Sequence, residues 1–267
     1  MSNESFAIRV GTHQGAKHRQ LHVNNQDAKL VENFAVPAWN KRFTVGVVSD
    51  GCTGFPAFSR TEVGANLLVV FAYSRVQELV CAGIPLAEIP RVLFQSVTEF
   101  IRNLANLVMP STVAWPYPVK LAKREHVDST TRFRMDYLSA TLLGFVTDGV
   151  TLVLFSAGDG IIVVNNDCTV INQDDQPDYP ASSINSPGRG FDVRTYQMAD
   201  VQRLAIMTDG PKDLVVEPEF LGDVFAFKRG NPMGLQVLLV NTFDRRPEKM
   251  LDDCTIITIE RTTVGTV

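Results

Sequence analysis

Blocks of apolar and β-branched residues predict strands in this 267-residue chain, and apolar residues at helical spacing predict two long helices. Residues 43–49, FTVGVVS, are predicted to form a buried strand that runs into a tight turn at Asp50-Gly51. Apolar residues then recur at helical intervals over about 60–82 and again over 85–109. Two helices with one apolar side each are expected to cover a face of a sheet.

The middle of the chain predicts further strands. The segments SATLLGFV, TLVLFSAG and IIVVNN, within residues 139–166, are predicted to be consecutive antiparallel strands, a β-meander, with a hairpin turn at Asp148-Gly149. The preceding stretch, 110–134, is rich in Pro, Thr and charged residues, and predicts a loop. Polar residues, Pro and Gly over 172–195 predict a long excursion across the surface.

The last part of the chain predicts two strands separated by helix. RLAIMT, residues 203–208, ends at Asp209-Gly210, residues 211–246 have an interrupted helical pattern, and DCTIITIER, residues 253–261, is the final strand. Strands and helices in blocks, without regular βαβ alternation, indicate an α+β fold with a largely antiparallel sheet. We expect one domain over residues 1–267.

Composition and charge narrow the function classes. The chain has 25 basic and 29 acidic residues, a net charge of −4, which argues against a nucleic-acid binder because such binding relies on clustered Lys and Arg. Neither a signal peptide nor a membrane segment is predicted, so a cytoplasmic protein is expected. The four cysteines lie far apart and form no CxxC pair, which favours reduced thiols over a zinc or disulfide framework.

Acidic residues stand at the ends of several predicted strands. An Asp-Gly pair ordinarily marks a turn, and Asp148-Gly149 fits that interpretation fully. Three other pairs follow hydrophobic strands, at Asp50, Asp159 and Asp209, and Asp27 and Asp252 stand at the edges of two more segments. If these acids converge at one sheet end, the simplest way to offset their repulsion is a hard divalent cation such as Mg²⁺ or Mn²⁺. Two such ions would suit phosphate-ester hydrolysis.

Five motifs, taken in order, resemble the type 2C metal-dependent protein phosphatases. The resemblance is to the divergent bacterial branch whose last motif reads Asp-Asp-x-Thr, and it implies four layers, α-β-β-α, with two antiparallel sheets between helices and a two-metal centre at one end. The motifs are NQDA (25–28), VVSDGCTG (47–54), SATLLGFV with SAGDG (139–160), IMTDG (206–210) and DDCT (252–255).

The resemblance also implies roles for individual residues. Asp50 would bridge two Mg²⁺ or Mn²⁺ ions, the Gly51 carbonyl would ligate the second, and Asp209 and Asp252 would complete the ligands of the first. Asp27 would support the metal shell, directly or through water. Asp253 stands where the family often has Asn. A third, weaker ion could be held by two further acids. The two candidates for the third ion are Asp159 and Asp136.

Two positions depart from the family pattern. Gln26 stands where many members have Glu, and His22 stands where an Arg usually clamps the substrate phosphate. His22 could still donate to phosphate, but it lacks the bidentate fork of Arg and is only partly charged at neutral pH. Cys52, beside the proposed bridging acid, is expected to be a small buried hydrophobe and not a nucleophile.

Together these features predict a cytoplasmic phosphoserine/phosphothreonine protein phosphatase of bacterial signalling type, acting through a metal-activated water. Its expected partner is a phosphorylated protein, the target of a Ser/Thr kinase. Binding to nucleic acid or to a membrane is not expected, and the protein is expected to be a monomer. Two alternatives remain open. One is a regulatory or binding module of the same fold with weak catalysis, motivated by His22 and Gln26, and the other is a phosphatase for small metabolites.

Overall fold

Two antiparallel five-stranded sheets form the centre of the computed structural model, which describes residues 5–52, 60–107, 129–173, 178–185, 188–226 and 231–262. One sheet has the strand order β1-β10-β9-β6-β7, and the other has the order β2-β3-β4-β5-β8. The strands are β1 Ser5–His13, β2 Asp27–Val36, β3 Lys41–Asp50, β4 Leu142–Thr147, β5 Thr151–Ala157, β6 Gly160–Val164, β7 Asp167–Ile171, β8 Asp192–Gln197, β9 Arg203–Met207 and β10 Cys254–Thr262.

Helices cover the outer faces of both sheets. The helix pair α2 and α3 lies on the β2-β3-β4 side, and α7 packs on β1 with α6 against β10. The helices are α1 Ala16–Gln20, α2 Thr61–Cys81, α3 Ile89–Leu107, α4 Ser129–Phe133, α5 Lys212–Val215, α6 Pro218–Phe225 and α7 Gly234–Arg245. No helix in the described ranges is both long enough and apolar enough to span a membrane.

The alternation of side chains along the strands divides the core into three layers. On β3, Val47 packs with the α2 and α3 side chains, whereas Val48 belongs to the cluster between the two sheets. Phe145 of β4 and Ile257 of β10 fill the same central layer. The predicted α-β-β-α sandwich is therefore confirmed.

Most predicted elements match the observed ones within a few residues, including the strand at 43–49, the helix at 60–82 and the hairpin at Asp148-Gly149. The predicted meander over 139–166 is wrong. β4 and β5 pair as expected, but β6 leaves for the other sheet, where it pairs with β7 and β9, and the partner of β5 is β8. Gly158, at φ +89°, lies in the link where the chain changes sheet.

Two predicted loops contain regular structure. Of the loop predicted over 110–134, residues 110–128 lie outside the described residues, but 129–133 form helix α4 and Arg134–Leu138 form a π-helical turn. The surface excursion predicted over 172–195 includes a 3₁₀ turn, Ser183–Asn185, and the start of β8. The interrupted helix of 211–246 is three helices, α5, α6 and α7.

Candidate metal centre

Four carboxylates from both sheets lie at one end of the sandwich. Asp27 begins β2 and Asp50 ends β3, and the two are directly opposite each other in the antiparallel register. In the other sheet, Asp209 follows β9 and Asp252 precedes the neighbouring strand β10. Burial, and then the charges of Asp27, Asp209 and Asp252, raise the pKa of Asp50 well above its usual value. The acids predicted from strand ends are thus close enough to repel one another.

Two of the Asp-Gly pairs need glycine for close packing and not for a turn. A Cβ on Gly51 would lie 2.7 Å from the carbonyl carbon of Thr61, where α2 begins, and a Cβ on Gly210 would lie 1.8 Å from the Asp253 carbonyl oxygen. Gly149, by contrast, has φ +83° and open space around it, as expected for a hairpin turn. The glycines after Asp50 and Asp209 therefore let the backbone approach closely around the four acids.

Asp27 lies deepest among the four acids. The hydroxyl of Thr208 donates a hydrogen bond to its Oδ2 at 2.8 Å, but its buried Oδ1 finds no hydrogen-bond partner within the described residues. Burial, followed by the charge of Asp253, raises the pKa of Asp27 to about 8, although hydrogen bonds from Thr208 and Thr255 oppose the shift. An unpartnered carboxylate oxygen among neighbouring acids fits a hard divalent cation, so this donor set suits Mg²⁺ or Mn²⁺.

Asp253 joins three segments beneath the centre. Its carboxylate accepts the backbone N–H of Gly15 at 2.8 Å and that of Gln26 at 2.5 Å, and it lies 2.8 Å from His18 Nδ1. His18 Nδ1 also lies 3.5 Å from Asp252 Oδ1. Burial opposes protonation of His18, but the hydrogen bond and charge of Asp253 outweigh burial and raise the pKa of the imidazole. This buried pair fixes the backbone that carries Asp27 and Asp252.

Gln26 is fully buried beside Asp27, and neither of its side-chain amide atoms has a hydrogen-bond partner within the described part of the chain. A buried amide without hydrogen-bond partners costs free energy, which indicates that the Gln26 side chain has a partner that the described residues do not supply. Its oxygen is suited to a divalent cation or to water bound by one. The neutral amide at this position is therefore compatible with a metal centre.

The acids predicted for a third ion differ in their surroundings. The side chain of Asp159 accepts the Gln173 N–H at 2.8 Å, and its charge is among those that, after burial, raise the pKa of the Cys52 thiol. Asp159 therefore lies near the four acids. Asp136 lies in the π-helical turn, where its main-chain carbonyl accepts the Arg60 N–H at 2.8 Å, and its role stays a prediction. The raised pKa of Cys52 agrees with an unreactive thiol.

The predicted phosphate-binding residue is not joined to the acids. His22 is exposed and has φ +54° in the turn after α1. Within the described residues, no hydrogen bond or ion pair links its side chain to the four acids. Lys212, in contrast, lies with Nζ 3.3 Å from Asp209 Oδ2. The charge of Asp209 is the largest cause of the raised pKa of Lys212.

Sequence reasoning assigned no role to three side chains at this centre: Thr208, His18 and Lys212. Thr208 lies in the motif IMTDG, directly before Asp209, and its position at a strand end was the available signal. His18 carries no such signal, since its role depends on a contact with Asp253 across the fold. Lys212 lies only three positions after Asp209, but a lysine after an Asp-Gly pair does not by itself indicate a contact with the acid.

Comparisons with known structures find the same fold. Stp1, a serine/threonine phosphatase from Staphylococcus aureus, superposes with a TM-score of 0.58 at 13% identity, over 97% of this chain and 96% of that chain. PppA, a regulatory component of T6SS in Pseudomonas aeruginosa, gives 0.55 at 13% identity, over 96% and 98%. The catalytic domain of the serine/threonine protein phosphatase PstP, solved in complex with two manganese ions, gives 0.53 at 12% identity, over 98% and 100%.

At these identities the structural matches establish the fold alone. A comparison with curated proteins finds no significant match. The family model described as protein phosphatase 2C matches residues 14–234, which is most of the chain. The chain therefore belongs to the protein phosphatase 2C family.

Proposed function

We propose that this protein is a metal-dependent phosphatase that hydrolyses phosphoserine and phosphothreonine in proteins. The observation that carries the proposal is the position of Asp27, Asp50, Asp209 and Asp252 at one end of the sandwich, where burial and neighbouring acids raise the pKa values of Asp27, Asp50 and Asp252. A scaffold with no need of metal would gain stability by replacing such acids with neutral residues. Membership of the protein phosphatase 2C family gives the proposal its reaction class.

The proposed centre holds two Mg²⁺ or Mn²⁺ ions. Asp50 would bridge them, the Gly51 carbonyl would ligate the second, and Asp209 and Asp252 would complete the first, with Asp27 supporting the shell. When bound, the ions would activate a water for attack on phosphorus and offset the negative charge of the phosphoryl oxygens. A third ion at Asp159 and Asp136 is part of the proposal. These seven positions are Asp27, Asp50, Gly51, Asp136, Asp159, Asp209 and Asp252.

The protein's own contribution is to hold these acids in place before a cation arrives. Thr208 orients Asp27 by donating to Oδ2 and leaves the buried Oδ1 without a hydrogen-bond partner within the described residues. Asp253 and His18 fix the backbone around Asp252. Because the raised pKa of Asp27 keeps a proton on it in metal-free protein, that proton leaves when a cation binds.

We further propose a phosphorylated protein, the target of a Ser/Thr kinase, as the substrate. Stp1 and PstP are named as serine/threonine phosphatases, which supports this class over small metabolites. A cytoplasmic role in bacterial signalling and a single-domain monomer over residues 1–267 complete the proposal.

A catalytically weak module of the same fold is the second candidate. Two observations favour it: His22 is not joined to the acids by any described contact, and Gln26 offers a neutral amide where many family members have a carboxylate. Such a protein would bind a divalent cation and a phosphorylated partner but release little phosphate.

The test is hydrolysis of a small aryl phosphate and a phosphothreonine peptide by purified protein, with and without Mn²⁺. Asp209→Asn is expected to lower the Mn²⁺-dependent rate by at least about 100-fold, whereas Asp148→Asn, the same change in the remote hairpin, should leave it unchanged. Mn²⁺ binding without turnover in the folded wild type would favour the second candidate. Turnover of the aryl phosphate alone would favour a small-molecule phosphatase.

A further inference from the structure

A phosphate monoester that enters the centre needs positive charge beyond the metal ions. Two divalent cations would only neutralise the four ionised carboxylates of Asp27, Asp50, Asp209 and Asp252. The monoester brings a further charge of about −1.5 to −2 near neutral pH. A positively charged side chain at the mouth of the centre would bind it through a charge-assisted hydrogen bond.

Three basic residues around α1 are engaged elsewhere, buried or without a described contact to the four acids. The guanidinium of Arg19 lies 4.4 Å from the centre of the Phe243 ring, and its Nη2 lies 3.1 Å from His13 Nε2. His18 is buried against Asp253. His22 is exposed, with no described contact to the four acids.

Lys212 is the exposed cation that reaches an acid of the centre in the described part of the chain. Its Nζ lies 3.3 Å from Asp209 Oδ2, and its side chain is 59% exposed whereas that of Asp209 is 22% exposed. The side chain of Lys212 is therefore more open to solvent than the carboxylate that its ammonium contacts.

The backbone before Lys212 is fixed. The Lys212 N–H donates to the Asp209 carbonyl at 2.9 Å, and Gly210 packs so closely on the Asp253 carbonyl that a Cβ would not fit. Pro211 restricts the turn between them. A rigid turn thus carries a long, flexible side chain whose charged end can move while its base stays beside Asp209.

We propose that Lys212 binds the phosphoryl group of the substrate, an inference that rests on the proposed function. An exposed ion pair such as that of Lys212 with Asp209 contributes little stability, so the ammonium leaves readily when a cation takes the carboxylate. Lysine is suited to this role as a compact charge on a flexible stem. Lys212 then contacts phosphate oxygen and sets affinity for the phosphoryl group, whatever the rest of the substrate is.

The test compares binding of inorganic phosphate to Mn²⁺-loaded protein by calorimetry for the wild type and for Lys212→Gln, Lys212→Arg and Lys41→Gln. Lys41 is the matched control, because its Nζ pairs with Asp148 at 3.0 Å in the remote hairpin. Lys212→Gln is expected to weaken phosphate binding about tenfold. Lys212→Arg keeps the charge, so its affinity for phosphate should stay within about threefold of that of the wild type. The affinity of Lys41→Gln should equal that of the wild type.

Kinetics and metal binding complete the test. If Lys212 contacts phosphate, Lys212→Gln raises KM for an aryl phosphate about tenfold with a smaller effect on kcat. If Lys212 merely neutralises Asp209, Lys212→Gln tightens Mn²⁺ and leaves phosphate affinity unchanged, which overturns the proposal. If the wild type shows no turnover but its phosphate binding depends on Lys212, the proposed hydrolysis is rejected and the role of Lys212 in phosphate binding is kept.

Discussion

The free energy of unfolding of metal-free protein should fall as pH rises, because Asp27 holds its proton more tightly when folded. Its pKa is raised from 3.8 to about 8 in the folded protein, with burial as the main cause. Below about pH 4 both states carry the proton, and between about pH 4 and pH 8 only the folded state does. The contribution of Asp27 is thus fully present at low pH and is lost as pH rises through the folded pKa.

The size of the effect follows from the shift. Four pH units correspond to roughly 5 kcal/mol if Asp27 acts alone. Asp27→Asn keeps the shape of the neutral acid and an oxygen to accept from Thr208. The variant should therefore match the wild type below about pH 4, exceed its stability by roughly 1.5 kcal/mol at pH 5 and exceed it by roughly 5 kcal/mol at pH 8. The melting temperature at pH 8 should be higher by roughly 10 °C.

Urea unfolding of chelator-treated protein at constant ionic strength, from pH 5 to pH 8, measures the difference directly. Asp148→Asn is the control. Burial opposes ionisation of Asp148, but the N–H of Thr151 and the ammonium of Lys41 outweigh it and lower its pKa. Asp148→Asn should therefore lose stability at neutral pH, the opposite sign. Equal stability of wild type and Asp27→Asn at pH 8 would refute the reasoning about the buried acids.

Three further predictions concern the structure around the acids. Asp253→Ala removes the acceptor of the Gly15 and Gln26 N–H groups. Urea unfolding should show a free energy of unfolding lower by about 3 kcal/mol. A change under about 1 kcal/mol would mean that water replaces the carboxylate. Gly210→Ala places a Cβ against the Asp253 carbonyl and should weaken Mn²⁺ binding at least tenfold by calorimetry, whereas Gly149→Ala, in the open hairpin, should leave it unchanged. Mn²⁺ binding near pH 7 should release protons from Asp27 and Asp50, because the pKa values of both acids are raised, and calorimetry in two buffers of different ionisation enthalpy measures the number; no release would show that both acids are already ionised.

The positions of the acids at strand ends were easier to predict from the sequence than the sheet to which each strand belongs. Asp50 and Asp209 follow strands whose apolar pattern is strong, so their place at a strand end was predictable. Strands β5 and β6 are almost wholly buried, because both of their faces are covered in the sandwich. An unbroken apolar strand gives no sign of which sheet it joins, and the crossing at Gly158 was therefore missed.

The remaining parts of the centre depend on contacts distant in sequence. Thr208 reaches Asp27 across 181 positions, and Gln26 meets Asp253 across 227. The edge strand β8 is polar and partly exposed, so its first residues have the pattern of a loop. The role of His22 stays a prediction, because its spacing from Gln26 does not indicate the left-handed backbone that His22 adopts after α1.

The most direct test of the metal-centre account is the anomalous scattering of manganese in crystals of Mn²⁺-loaded protein. Two strong peaks are predicted, with Asp50 contacting both and with Asp209 and Asp252 around one of them. In Asp50→Asn crystals prepared in the same way, at least one peak should be lost. The absence of manganese between Asp27, Asp50, Asp209 and Asp252 in the wild type, or a single ion held by His18, Asp252 and Asp253 instead, would contradict the account.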